Sequence, residues 1–140
     1  MQVLKFGGSS VGTTTAISKV IAIVKARVQT TPSIVVVSAM SGITDQLILL
    51  GQTAAQGNAA YPTMIQSFAQ KHEDAVLALL PTAQHATALN MVNGLIQEIE
   101  AYCETIFKEK VLTVQMQDCL ISYGEILSSK IIAAAFDAEG

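Results

Sequence analysis

The first ten residues, Met1-Gln2-Val3-Leu4-Lys5-Phe6-Gly7-Gly8-Ser9-Ser10, set the terms for everything after them. A short apolar run with a single lysine breaks into paired glycines and paired hydroxyls. A buried strand ends this way when it delivers a cation to a phosphate-binding turn. Gly7 and Gly8 are expected to take positive φ and to let the backbone approach a ligand closely, with the freed amides aimed at anionic oxygens. Lys5 is the first candidate for chemistry, and Ser9 and Ser10 add hydroxyl donors.

The next segment turns this strand into a βαβ unit. Val3 to Phe6 is the strand; Thr13 or Thr14 is the N-cap of a helix with Ile17, Val20, Ile21, Val24 and Val28 at helical spacing, closed by Thr31-Pro32. Ser33-Ile34-Val35-Val36-Val37 is a continuous β-branched run, expected to be buried on both faces of a parallel sheet. Such a crossover is nearly always right-handed, and parallel strands bring their carboxyl ends to one edge, outside which ligands of open α/β sheets bind. The loops after Phe6 and after Val37 should therefore face one site. The second loop, Ser38-Ala39-Met40-Ser41-Gly42-Ile43-Thr44-Asp45, leads into a helix through Gln46, Leu47 and Leu50. It sets hydroxyls and a glycine where a helix N-terminus offers free amides, a combination suited to a small anion or carboxylate. The plainer alternative is that these hydroxyls only cap the helix.

Gly51 to Ala60 reads as a turn region after a short helix, followed by Tyr61-Pro62. An antiparallel helical hairpin is expected over about 63–108. Its first arm uses Ile65, Phe68, His72, Val76 and Leu79; Pro81-Thr82 breaks the chain; its second arm uses Leu89, Val92, Leu95, Ile96, Ile99, Tyr102, Cys103 and Ile106. No chemistry is evident in the hairpin. His72 and His85 lack partners at zinc spacing and read as packing or capping residues, and Lys108-Glu109-Lys110 reads as a solvated turn. A last helix is expected from near Thr113 through Leu120, Ile121, Ile126, Leu127, Ile131 and Ile132 to Phe136, with Gly140 as its C-terminal cap. Inside it, Ser122-Tyr123-Gly124-Glu125 places a glycine that costs a helix up to about 1 kcal/mol relative to alanine and lets another backbone or a ligand come close. Glu125 beside it can accept hydrogen bonds from an ammonium group, although its spacing alone equally fits a surface glutamate.

Composition narrows the function classes. The chain has 140 residues, 51% hydrophobic and 14% charged, which is core-rich for one domain and suggests that part of its surface is normally covered. A net charge of −3 without a basic cluster argues against nucleic acid or an anionic membrane as the main partner. No apolar run is expected to reach the roughly 18 residues of a membrane span, and a cytoplasmic location is expected. Cys103 and Cys119 read as reduced core thiols.

Lys5 to Val11, Lys-Phe-Gly-Gly-Ser-Ser-Val, resembles the opening signature of aspartate kinases within the amino acid kinase superfamily, which usually has Thr where this chain has Ser9. The Ser38 to Thr44 and Ser122 to Glu125 stretches resemble the family's next motifs, in family order. The resemblance implies a three-layer α/β/α fold with a mainly parallel sheet. Here it would be truncated to an N-terminal βαβ unit, a helical hairpin and a final helix, with 1–140 as the N-terminal portion of a catalytic domain. It further implies that Lys5, Gly7, Gly8 and Ser9 bind the ATP phosphates, with Lys5 catalytic, and that Ser38, Thr44 and Glu125 hold L-aspartate. Mg2+ would be held by nucleotide phosphates and water, so no metal ligand is assigned in this chain. The family's later Gly-rich segment with its Arg and Asp, and the nucleotide-binding stretch after it, have no counterpart. The segment alone is therefore expected to be inactive and to associate, and the enzyme to be a homo-oligomer. Kinases of glutamate, acetylglutamate or uridylate are the alternatives within the superfamily, though Phe6 and Ser-Ser-Val fit aspartate kinase better. A non-catalytic binding or assembly module, with the hairpin serving a partner, is the alternative outside it.

Overall fold

The structure, a computed structural model, describes residues 1–139; the expected cap at Gly140 lies outside the described residues. Its elements in chain order are β1 (Gln2–Phe6), α1 (Thr14–Val28), β2 (Ser33–Val37), α2 (Ile43–Ala55), α3 (Tyr61–Leu79), α4 (Thr82–Glu109) and α5 (Val114–Glu139). The βαβ unit, the hairpin (α3 with α4) and the final helix are all present. β1 and β2 pair in parallel, Lys5 opposite Val36 and Phe6 opposite Val37, so both carboxyl ends reach the same edge.

The sheet is covered on one face. Leu4, Phe6, Val35 and Val37 pack on the core; Phe6 shares a cleft with Ala16, Val20 and Ile23 of α1, and Val35 and Val37 share one with Ile132 and Phe136 of α5. The alternate residues face away: Val3 is 63% exposed, Ile34 49% and Val36 41%. This corrects the expectation that the Ile34 to Val37 run is buried on both faces. Both helices that lie along the sheet take the same side, and no described element lies on the other.

Local chemistry sets the element ends. The Thr13 hydroxyl accepts from the Ala16 N–H at 3.2 Å and starts α1; the Thr113 hydroxyl accepts from the Met116 N–H at 3.1 Å and starts α5. α2 runs through Gly51, which the sequence reading assigned to a turn. A Cβ there would come within 3.2 Å of Leu120 and 3.3 Å of Leu112, so this glycine is kept for helix packing, and the turn shrinks to the residues around Gly57, whose φ is +68°. Tyr61-Pro62 opens α3 instead of preceding it, because a proline in the first turn loses no intrahelical hydrogen bond. α4 continues through Lys108 and Glu109 and ends at Lys110, which takes φ 54° and donates its N–H to the Ile106 carbonyl at 2.8 Å.

The helices supply most of the core. Ile17 of α1, Ile43, Leu47 and Leu50 of α2, Ile65 and Phe68 of α3, Ile99 and Ile106 of α4, and Leu120, Leu127 and Ile131 of α5 form one buried cluster. Cys103 belongs to it, and burial pushes its thiol up to about 12. Cys119 does not: it is exposed, against expectation, since its neighbour Leu120 takes the inward position on α5. Among the described residues α5 alone is long and apolar enough to cross a membrane. A search for uninterrupted apolar runs misses it because Asp118, Glu125 and Lys130 break the run. Here Leu120, Leu127, Ile131, Ile132 and Ala135 of α5 are buried in the core.

α5 crosses the start of α2 at Gly124, where a Cβ would meet Ile43 Cγ2 at 3.0 Å, Ala39 Cβ at 3.1 Å and Leu47 Cδ1 at 3.5 Å. Ala39 can yield only by moving backbone. Gly124→Ala should therefore lower stability by about 1 kcal/mol net, the overpacking cost exceeding the gain in helix propensity. Gly94 in α4 is exposed with nothing within 4 Å of its would-be Cβ, so Gly94→Ala should raise stability by up to about 1 kcal/mol. Urea denaturation of the two variants checks the opposite signs.

His72 is fully buried, and its Nδ1 lies 2.9 Å from the Phe68 carbonyl. A carbonyl only accepts, so Nδ1 carries the proton and Nε2 presents a lone pair without a partner among the described residues. Burial holds this imidazole below its ordinary value of 6.5, outweighing the Phe68 hydrogen bond, which raises it. The unfolded chain then takes up the proton first as pH falls, so the neutral ring's contribution is complete above about pH 6.5 and is lost below it. Between pH 7.5 and 5.5, unfolding free energy should drop for the parent and drop less for His72→Leu, as read by urea denaturation at each pH.

Candidate functional site

The turn after β1 closes on itself: the Gly7 carbonyl accepts from the Ser10 N–H at 2.9 Å and from the Val11 N–H at 3.3 Å. Neither Gly7 nor Gly8 takes positive φ, which corrects the expected use of these glycines. A hydrogen-bonded turn with ordinary angles suffices, and no neighbouring protein atom requires glycine at either position. A Cβ at Gly7 would meet nothing within 4 Å, and one at Gly8 would rest 3.9 Å from both the Ser38 hydroxyl and the Ala39 carbonyl. The tight position is Gly12. A Cβ there would lie 2.9 Å from the Gly8 carbonyl and 3.0 Å from Ser41 Cβ, and the Gly12 carbonyl accepts from the Ser41 N–H at 3.4 Å. The two loops of the βαβ unit are thus folded directly against each other.

In the second loop, Gly42 stands at the N-cap of α2 with φ +77°, and no side chain caps the helix. That decides between the two readings of the hydroxyls: Ser38, Ser41 and Thr44 are not consumed in capping α2. Ser38 and Thr44 are half-buried, next to a helix end whose dipole favours negative charge.

The third segment arrives on α5. With Gly124 against Ala39 and Ile43, the Ser128 hydroxyl donates to the Ser38 carbonyl at 2.6 Å, with the Glu125 carbonyl at 3.3 Å as a second acceptor. The turn of α5 that carries Glu125 is therefore fixed beside the Ser38 loop, with Glu125 itself exposed. One residue before the crossing, the Tyr123 phenol donates to Glu98 of α4 at 2.9 Å. Burial first, then the Glu98 carboxylate, pushes this phenol up to about 12, so it stays a neutral donor at physiological pH. From α3, the Lys71 ammonium donates to the Ser41 carbonyl.

The fold therefore brings Gly8 to Ser38 and the Glu125 turn to the Ala39–Ile43 stretch. Lys5 stands apart from these contacts. It is exposed and, alternating with Phe6, lies on the outward face of β1 opposite Val36. Ser9 lines a cleft of about 400 Å³ with Ser10, Thr13 and Lys19. A larger cleft of about 520 Å³ between α4 and α5 touches none of the candidate residues. No group of three or more His, Cys, Asp or Glu side chains is arranged to hold a metal ion among the described residues. Three contributors escaped the sequence reading. Gly12 was signalled by a glycine just before an N-cap threonine, and Ser128 by a hydroxyl three residues after Glu125 on the same helix. Lys71 had no local signal, since its contact spans 30 residues.

Comparison with known proteins gives whole-chain matches to aspartokinases. The chain is 29% identical over 136 residues to the bifunctional aspartokinase/homoserine dehydrogenase 1 of Arabidopsis thaliana, covering 97% of this chain and 15% of that protein. It is 28% identical over 138 residues to the chloroplastic aspartokinase 1 of the same plant, covering 99% and 24%. The chain thus spans a quarter or less of these relatives. In fold it matches Escherichia coli aspartokinase III, crystallised with lysine and aspartate, with a TM-score of 0.81 at 22% identity over 99% of this chain and 29% of that one. The same enzyme with aspartate and ADP matches with a TM-score of 0.77. The family model of the amino acid kinases matches residues 1–140, and with the motif-bearing loops gathered at one sheet edge, the chain belongs to the amino acid kinase family.

Proposed function

We propose that this chain is the N-terminal part of an aspartate kinase catalytic domain. The reaction would transfer the γ-phosphoryl group of ATP to the side-chain carboxylate of L-aspartate, giving 4-phospho-L-aspartate for lysine, threonine and methionine biosynthesis. The observation that carries this reading is the meeting of three motif-bearing segments at one edge: Gly8 beside Ser38, Gly124 against Ala39 and Ile43, and Ser128 tied to the Ser38 carbonyl. The names and substrates of the matched aspartokinases support it. The proposal includes a cytoplasmic homo-oligomer.

Phosphoryl transfer asks for in-line alignment and for cancellation of charge on the transferred group. Lys5 and the amides of the Gly7–Ser9 turn would supply that charge, and the open space at Gly7 leaves phosphate oxygens free to approach. Ser38, Thr44 and the uncapped first turn of α2 suit the acceptor's carboxylates, and the exposed Glu125 suits its ammonium. Mg2+ would be carried in on ATP phosphates and water, where its charge would neutralise the phosphate oxygens, with no ligand assigned in this chain.

Two substitutions in the kinase polypeptide that carries this segment test the assignment. Lys5→Met keeps the stem and deletes the charge, so turnover should fall about 10²- to 10³-fold; parental turnover would remove Lys5 from the mechanism. Glu125→Gln should raise the KM for aspartate about tenfold or more, the worth of a charged hydrogen bond, and leave the KM for ATP unchanged. A rise confined to ATP would place Glu125 on the nucleotide side. Aspartate inert, with glutamate, acetylglutamate or UMP phosphorylated, would move the protein to another branch of the family.

A further inference from the structure

Lys71 sits in the middle of α3, in the hairpin that carries no motif. Its ammonium donates to the Ser41 carbonyl, while the N–H of Ser41 donates to the Gly12 carbonyl at 3.4 Å. At the other end of the same loop the Ser38 carbonyl takes the Ser128 hydroxyl at 2.6 Å. Of these tethers only the one from Lys71 is charged. Between them and α2 stands Gly42, at φ +77° with nothing within 4 Å of its would-be Cβ. The Ile43 N–H closes the turn on the Met40 carbonyl at 3.2 Å, and with glycine at its third position that turn tolerates more than one orientation of its central Ser41–Gly42 peptide, which the bond from Lys71 to the Ser41 carbonyl selects.

From this we infer that Lys71 is a positioning residue for the acceptor substrate, an inference that rests on the function proposed above. By holding the Ser41 carbonyl, Lys71 fixes the peptide at which the loop turns into α2. That orientation sets where the first-turn amides of α2 and the Thr44 hydroxyl point. The Lys71 stem is half-buried against the fold, so part of its side-chain entropy is already spent and the hydrogen bond loses less in forming. A cationic side chain at this point also adds attraction for an anionic acceptor approaching the loop.

The test compares Lys71→Met, which keeps the stem, with Lys71→Arg, which keeps a cationic donor, both in the kinase polypeptide that carries this segment. Hydrogen exchange of the 40–44 amides reports the loop without any ligand, and steady-state kinetics report the acceptor. Lys71→Met should exchange faster in this segment and raise the acceptor KM about tenfold, the effect of losing one charged hydrogen bond, with the ATP KM unchanged. Lys71→Arg should restore both readings toward the parent. Parental exchange in Lys71→Met, a parental acceptor KM despite faster exchange, or equal damage from Met and Arg would each overturn the inference. If the parent phosphorylates an acceptor other than aspartate, the KM is read for that acceptor. The functional proposal then fails by itself, and Lys71 is still decided by the same comparison.

Discussion

The arrangement depends on one close approach, that of α5 to the loop leaving β2. It is possible because position 124 has no side chain: a Cβ would press on Ala39, Ile43 and Leu47 together. Once the helix is that near, Ser128, one turn further on and 1% exposed, reaches the Ser38 carbonyl. Such a hydrogen bond contributes only about 1 kcal/mol net, but losing it strands a buried polar group at about 1–3 kcal/mol. The contact therefore works as a register mark more than as glue. It fixes which turn of α5 faces the loop, and so where the Glu125 carboxylate stands relative to Ser38 and Thr44.

The same geometry explains why the sheet has an open face. α1 and α5 share one side, leaving Val3, Ile34 and Val36 exposed beside Lys5 on the other. An apolar strip on a two-stranded sheet is a surface that favours association. Any protein laid over that strip also meets Lys5.

Much of this was legible in the sequence, and the failures share a cause. Periodicity located every helix, and Thr13 and Thr113 marked two starts, because caps and amphipathic stripes are local properties. The glycines were harder. Gly7 and Gly8 were expected to need positive φ, whereas Gly42 takes it; Gly51 looked like a turn and lies inside α2. A glycine states that a side chain is absent, not whether φ or a neighbour requires that absence, and only tertiary packing tells the two apart. The Ile34 to Val37 run looked buried on both faces because β-branched composition reports what a strand can pack against, not what is present to pack. For the site, motif order found the three segments that meet. It could not find Lys71, whose role exists only through a contact between distant parts of the chain.

The motifs sit at strand ends, yet the strands do little to hold them there. Two strands of five residues each form too small a sheet to stand alone, and the largest buried side chains come overwhelmingly from helices. The links that fix the candidate residues follow the same division: Gly124 and Ser128 from α5, the Tyr123 bond to Glu98 between α5 and α4, and Lys71 from α3. The βαβ unit supplies loops with open backbone, and the helices behind it tether those loops at Ser38 and Ser41. A loop that must receive a charged ligand cannot spend its own polar groups on holding itself in place. Tethers from other elements, attached to backbone carbonyls, leave the hydroxyls of Ser38 and Thr44 out of the loop's own hydrogen bonding, so in the proposed site they would remain for the ligand, with the motif-free hairpin contributing through Lys71.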